Sequence, residues 1–327
     1  MSELSQLSLL VVYAAMASYT IALVAFAIDL SALRSRRDAE GRVIRERVLV
    51  PAGGSARRDG GADAPAEGPA AGAGEAAAGG ERRRRAAGLA MSTSLLGAAF
   101  HGIGVVTRAL AAGHVPWSNM YEFSLTFTFV ALALYLWLAR SRDLRYLGAF
   151  VVGPVLLLLG VAVAVLYVEA DGLEPILDNY WLYLHVSVAV LAIAVLTLAA
   201  VLAVLQLAKD FGGSSRWAAI LSGLPDAVSL ERLSYRFTAV GFVLWTFTLV
   251  AGAIWAEHAW GRAWGWDAKE VWTFVIWVIY AAYLHARATR GWDGRRAAYL
   301  VIAGFAAIMA NYFVVNFLLS TKHGYAF

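Results

Sequence analysis

The chain of 327 residues is 60% hydrophobic and only 15% charged, with a mean hydropathy of +0.63, whereas a soluble domain is about 45–50% apolar and about 25% charged. So few charges cannot cover a water-soluble surface of this size, which excludes ordinary soluble, disordered and collagen-like classes, and the absence of cysteine excludes disulfide scaffolds, thiolate metal sites and dithiol redox roles. The net charge of +4 and pI near 9.3 point to nucleic acid only if the basic residues cluster on a soluble face.

Eight apolar stretches are long enough to cross a hydrocarbon core about 30 Å thick. They lie at 8–29, 88–111, 121–139, 146–168, 181–208, 236–256, 271–286 and 297–319. The first opens with MSELSQLS, which lacks a basic leader and is followed by too long an apolar run for a cleaved signal, so it reads as a retained helix. In lipid every backbone group needs an internal partner, which leaves helices or a closed barrel. The runs are continuous rather than alternating, so the fold class is all-α: a polytopic membrane bundle of about eight helices.

The basic residues then orient the bundle. Most of the 27 Lys and Arg fall in alternate connections, at 31–87, 140–145, 209–236 and 287–296. The other connections hold only Arg262, Lys269 and Lys322, with Arg108 at a helix end. Positive residues stay inside, so the first set is cytoplasmic and both termini are expected on the outer face. The high pI is therefore a topology signal, and nucleic acid drops out as a partner in favour of the lipid bilayer. Residues 1–30 form the first span and 88–327 a seven-helix core. Between them, 31–87 reads as a disordered, basic, Ala/Gly/Pro-rich cytoplasmic linker. Its run Arg82–Arg85 fits either a lipid-surface anchor or a stop that fixes topology.

Half of the 12 Trp are Trp255, Trp260, Trp264, Trp266, Trp272 and Trp277. Interfacial belts explain those near helix ends. They do not explain Trp260, Trp264 and Trp266 alternating with glycine in the external loop 257–270, within the stretch WGRAWGWDAKEVW at 260–272. Rigid aromatic planes spaced by glycine suit a flat apolar ligand, and a packed interfacial loop is the alternative. Of the six His, His114, His185, His258 and His323 fall at or near the outer face. His101 and His285 sit at membrane depth, where an ionisable group is either functional or an interhelical hydrogen bonder. Imidazole is a common axial ligand of haem iron. Trp181 and His185, four apart, face one side of the fifth helix.

These residues carry a resemblance. WGRAWGWDAKEVW resembles the tryptophan-rich WWD signature of haem-handling proteins in cytochrome c maturation. With GHVPWSNMYEF at 113–123, WLYLHV at 181–186, YLHAR at 283–287 and KHGYAF at 322–327, the chain is similar to the CcsA/ResC component of the System II cytochrome c synthase over most of 88–327. Ala268 stands where that family usually has Pro, and Gly324 where it more often has Ser; neither supplies a ligand side chain.

The resemblance implies a haem–cytochrome c ligase complex in the bacterial cytoplasmic membrane or its thylakoid equivalent. Haem b would be cargo, held at the outer face between His185 and His323 as axial ligands, with His285 serving an intramembrane site. Trp260, Trp264 and Trp266 would pack on the macrocycle and Asp267 would hold the loop. Arg262, Lys269 or Arg108 would meet propionates, although pairing of Lys269 with Asp267 or Glu270 is the plainer alternative. Asn119 and Glu122 would be supporting or helix-start residues, Trp181 and His114 lesser contributors, and His101 a possible second intramembrane ligand. The implied partners are a ResB/CcsB-like membrane subunit, apocytochrome c presenting CxxCH and, indirectly, thiol-reducing proteins. Haem export without ligation, and more remotely a b-type electron-transfer bundle, are the competing readings.

Overall fold

A computed structural model of the chain describes residues 3–49, 70–173, 178–212, 221 and 223–319, with the backbone alone over 31–49 and 70–84. His323, Lys322 and Gly324 lie outside the described residues. The elements are α1 (Glu3–Leu49), α2 (Ala70–Ala112), α3 (Met120–Ser141), α4 (Gly148–Ala164), α5 (Tyr180–Phe211), α6 (Ala227–Trp260), α7 (Ala268–Arg290) and α8 (Gly294–Met309). The last continues through a π-helical segment, Ala310–Val315, into a final turn, Asn316–Leu318. Among the described residues there is no strand, and eight helices are long and apolar enough to cross a membrane. They coincide with the eight apolar runs, because within lipid each run has no alternative to intrahelical hydrogen bonding. Helical backbone also occupies 31–49 and 70–87, where the composition reads as linker. Ala, Glu and Arg there are strong helix formers, and a helix extended from an anchored span needs no new nucleus.

Polar residues mark the helix starts as capping chemistry requires. The side chain of Asn119 accepts from the Glu122 N–H at the head of α3, Asn179 from Trp181 at α5, and Asp226 from Ser229 at α6. Helix α1 lies along α2, and both pack with α3 and α4 around a core that includes Tyr19, Leu125, Leu132, Tyr135, Val152 and Leu159. A second core joins α5 to α8 through Leu196, Trp245, Ile276, Tyr280 and Ile308. One close crossing sets the Tyr280 ring on Gly304, where an added Cβ would stand 2.6 Å from Cζ. Without a hydrophobic driving force between helices in lipid, such close approach at small residues is what holds spans together. Helices α4 and α5 scarcely touch, and a cavity opens at this seam between the two helix groups.

Candidate functional site

The connections 113–119, 165–173 and 261–267 gather at one end of the bundle. His114 Nε2 lies 3.1 Å from the Asp171 carbonyl, and the Trp117 ring meets Tyr183 edge-on. The 261–267 loop begins where Gly261, at φ 67°, ends α6, a left-handed turn that glycine adopts without penalty. It closes on a capping box. Asp267 caps α7 and accepts from the Lys269 N–H at 3.0 Å, while Glu270 Oε2 accepts from the N–H groups of Asp267 (3.1 Å) and Gly265 (2.8 Å). Arg262 Nη1 stands 4.0 Å from Glu270 Oε1. Both carboxylates therefore accept from backbone N–H groups of the loop and of the start of α7. Immediately before Asp267, Trp266 takes a left-handed φ of 58°, a strained conformation for a bulky side chain.

Beneath the loop lies a cavity of about 500 Å³, walled by α3 to α8. Its size is in the range of sites that take a drug- or cofactor-sized ligand. Its wall is apolar and aromatic, with Trp117, Trp245, Trp255, Trp264, Phe305 and Tyr312 prominent, and it includes His185 and Lys269. His185 Nδ1 is 2.9 Å from the Thr248 carbonyl of α6. A carbonyl can only accept, so Nδ1 carries the proton and Nε2 is the ring's basic, ligating nitrogen. Fixing one ring nitrogen on a backbone carbonyl is how proteins aim the other at a metal. The imidazole lies parallel to Trp255 (2° between planes, centroids 6.3 Å apart) and directly over Gly252, where a Cβ would come within 2.7 Å of Cε1. Replacing Gly252 by Ala is accordingly expected to push the ring off Thr248 and weaken binding of an iron-centred ligand about 10–100-fold, the usual scale for disturbing an outer-shell support; spectral titration of the purified variant measures this.

The Lys269 ammonium donates to neither the Asp267 nor the Glu270 carboxylate. Its Nζ donates to the Asn311 carbonyl (3.1 Å) and to Asn316 Oδ1 (2.8 Å), across to the π segment of α8. Arg108 is not open to an outside anion. It is 1% exposed, and its guanidinium bonds Glu122 Oε1 (2.9 Å) and the carbonyls of Val168 and Glu169 (3.0 and 3.1 Å). Glu122, fully buried, also accepts from the Ser118 N–H and hydroxyl, so it and Asn119 both serve the start of α3.

The remaining candidates are dispersed. Among Trp260, Trp264 and Trp266, only Trp264 borders the cavity. Trp260 and Trp181 pack with Leu173 and Val186 against Leu182 and Trp255. Trp266 is 76% exposed and meets Trp264 edge-on at 5.7 Å. His101 is buried, its Nε2–H donating to the Leu125 carbonyl (3.0 Å) and its Nδ1 accepting from the Tyr19 hydroxyl (3.2 Å); it ties α1, α2 and α3 together with both nitrogens engaged. His258 Nδ1 contacts the Ile254 carbonyl one turn back on α6. His285 is exposed on the outer flank of α7, away from the cavity wall. The wall residues that sequence reasoning missed are Trp245, Asn311, Asn316 and Tyr312. Two asparagines five apart in an apolar span, the spacing of one π turn, were the available signal.

Residues 117–323 match the sequence family described as Cytochrome C assembly protein. The chain belongs to the cytochrome c assembly protein family, of the CcsA type. Proteins named cytochrome c biogenesis protein CcsA from Guillardia theta and from Prochlorococcus marinus subsp. pastoris are each 36% identical to it, over 67% and 69% of this chain and 79% of either relative. One from Synechococcus elongatus is 34% identical over 67% of this chain and 81% of its own. As a cytochrome c assembly protein with eight membrane-crossing helices, the chain is an integral membrane protein with a role in cytochrome c biogenesis. A solved structure titled Cytochrome c Heme Lyase CcmF shares its fold, with a TM-score of 0.61 at 16% identity, covering 99% of this chain and 48% of that one.

Proposed function

We propose that the cavity beneath the 261–267 loop holds haem b and that His185 Nε2 is one axial ligand. The observation that carries this reading is the anchoring of His185 Nδ1 on the Thr248 carbonyl, which makes Nε2 the basic nitrogen of a cavity-wall imidazole. His323, which lies outside the described residues, supplies the second ligand. The cavity end faces outside, and the end bearing the arginine-rich connections faces the cytoplasm. With a ResB/CcsB-like subunit, the complex promotes thioether formation on apocytochrome c.

The chemistry asks little of the chain's own side chains. Each thiol S–H of the CxxCH segment adds across a haem vinyl: sulfur bonds one vinyl carbon and the proton ends on the other, with no net redox change. The protein's part is to hold the macrocycle in place and exclude water, which converts an encounter into a positioned reaction. The histidine of the CxxCH segment then displaces a protein ligand, which gives the product its own axial bond and a route out. A cysteine-free chain suits this task, since both thiols arrive with the substrate. His285, exposed on α7 at membrane depth, belongs to an inner haem site completed by the partner subunit.

The test is co-expression of the chain and its partner with a CxxCH reporter in a host lacking its own maturation genes. Covalent haem on the reporter is expected, with a six-coordinate haem spectrum in the purified complex. Haem on the complex and none on the reporter would reduce the role to delivery. In the same assay, His323→Ala is expected to lose maturation, whereas His114→Ala and His258→Ala, whose rings contact backbone carbonyls outside the cavity, retain at least about half.

A further inference from the structure

We propose that the inner half of the cavity binds the hydrocarbon chain of a membrane lipid, which enters from the bilayer through a side mouth between α4 and α5. The site lies inward of His185 and does not depend on the haem reading above.

The cavity reaches well beyond its loop end. Along α5 its wall takes in His185, Ile193, Thr197 and Val201, a single face of the helix. At 1.5 Å per residue, Val201 stands about 24 Å further along the span than His185. Across the seam α4 contributes Phe150, Pro154 and Leu158. Helix α4 is committed elsewhere: Gly148 seats on the Phe26 ring of α1, and the helix packs with α1 and α3. The face of α5 towards the seam is therefore left to the cavity.

The exposed residues of the wall fall at two places. Ala263 and Trp264 lie in the loop, and Pro154 and Leu157 lie in the middle of α4, Leu157 at 73% exposure. The first pair marks a mouth at the loop end. The second marks a mouth at membrane depth, because α4 belongs to a helix long and apolar enough to cross the bilayer, and the surroundings at that depth are hydrocarbon. Pro154 and Leu157 are three residues apart, about 4.5 Å along the axis, whereas a helix with its side chains is about 10–12 Å wide. An extended hydrocarbon chain passes such a mouth and a partner helix does not.

The chemistry of the inner half suits that guest. Its hydroxyls are spent within their own helices: Thr197 Oγ1 donates to the Ile193 carbonyl (2.7 Å) and Thr128 Oγ1 to the Ser124 carbonyl (2.6 Å). The charged wall residues, Lys269 and Glu270, both belong to the first turn of α7 at the loop end. Water finds few partners on such a surface, and apolar cavities stay dry and take up apolar guests. Lipid tails are as apolar as the wall, so what the chain gains inside is close packing against atoms on every side. In place, it closes the side mouth and forms a floor inward of His185.

The experiment reconstitutes the full-length chain and its partner into phosphatidylcholine vesicles doped with a phosphatidylcholine that carries a diazirine near the end of one acyl chain. After irradiation, peptide mass spectrometry maps the adducts. Wild type is expected to carry them on Phe150 and Val201 in the cavity wall as well as on Leu191 and Val204, which are exposed on α5. Ile193→Trp and, made independently, Thr197→Trp place an indole in the site. Each is expected to lower the Phe150 and Val201 adducts by about tenfold, since a filled apolar site has no room for a guest. Adducts on Leu191 and Val204 stay unchanged, which also reports that the variant is folded and inserted. Wild-type adducts confined to Leu191 and Val204 overturn the proposal. So do Phe150 and Val201 adducts that persist in both variants, or an equal loss at all four positions in both. Absence of a haem spectrum from the same complex would remove the haem reading and leave this site standing.

Discussion

Replacing His185 by alanine is expected to lower covalent haem attachment to a CxxCH reporter by at least about 100-fold, the upper range for losing a metal-site support and more than any neighbouring change should produce. The ring is the one imidazole among the described residues that borders the cavity, and no second imidazole there can take its place. Its backbone anchor on Thr248 and its seat on Gly252 mean that deletion leaves a gap shaped for a free imidazole. Added imidazole is therefore expected to restore part of the haem spectrum and part of the attachment. Heme-stained reporter and the absorption spectrum of the complex, read side by side with and without imidazole, check both. Wild-type attachment in His185→Ala would remove His185 from the ligand set.

The second large effect is on stability. Arg108 and Glu122 are 1% and 0% exposed and bond at 2.9 Å, and the guanidinium also holds the carbonyls of Val168 and Glu169 beyond α4. Removing one partner strands a buried charge, which typically costs about 3–5 kcal/mol. Arg108→Met and Glu122→Ala are each expected to fall to a small folded fraction, seen as a lower temperature of heat-induced aggregation in detergent. The double replacement Arg108→Met/Glu122→Leu leaves no buried charge unpaired, although it frees the Ser118 N–H and the Val168 and Glu169 carbonyls, and is expected to lose less than either single change. The folded remainder should keep a normal haem spectrum, because the pair fastens the 165–169 segment to the head of α3 and neither residue itself lines the cavity, which Glu122 meets through Ser118.

What could be read in the sequence follows from which interactions are local. The eight spans were legible because continuous apolarity in a membrane admits one backbone solution, and the helix start at Asn119 because caps act within three residues. His185 stood out by its place at the mouth of α5. Its supports on Thr248, Gly252 and Trp255 did not, since they lie across on α6. The same holds for the Trp residues. Pattern singled out the three in the loop, yet the cavity takes Trp264 from the loop together with Trp245 and Trp255 from α6; Trp255 read as part of an interfacial belt, and Trp245 stood outside the cluster. Arg108 read as a spare cation because its partner lies across a turn, and Lys269 as a neighbour of Asp267 because its true partners are on α8.

The seating of Tyr280 on Gly304 also constrains how this bundle can change over generations. Neither position can vary by itself: any side chain at 304 collides with the ring, and truncating the ring alone leaves a void where α7 meets α8. Variation there has to arrive as a matched pair, with a smaller residue at 280 preceding or accompanying a larger one at 304. Drift across this crossing is correspondingly slow, and the wall of the cavity that rests on it inherits the same inertia.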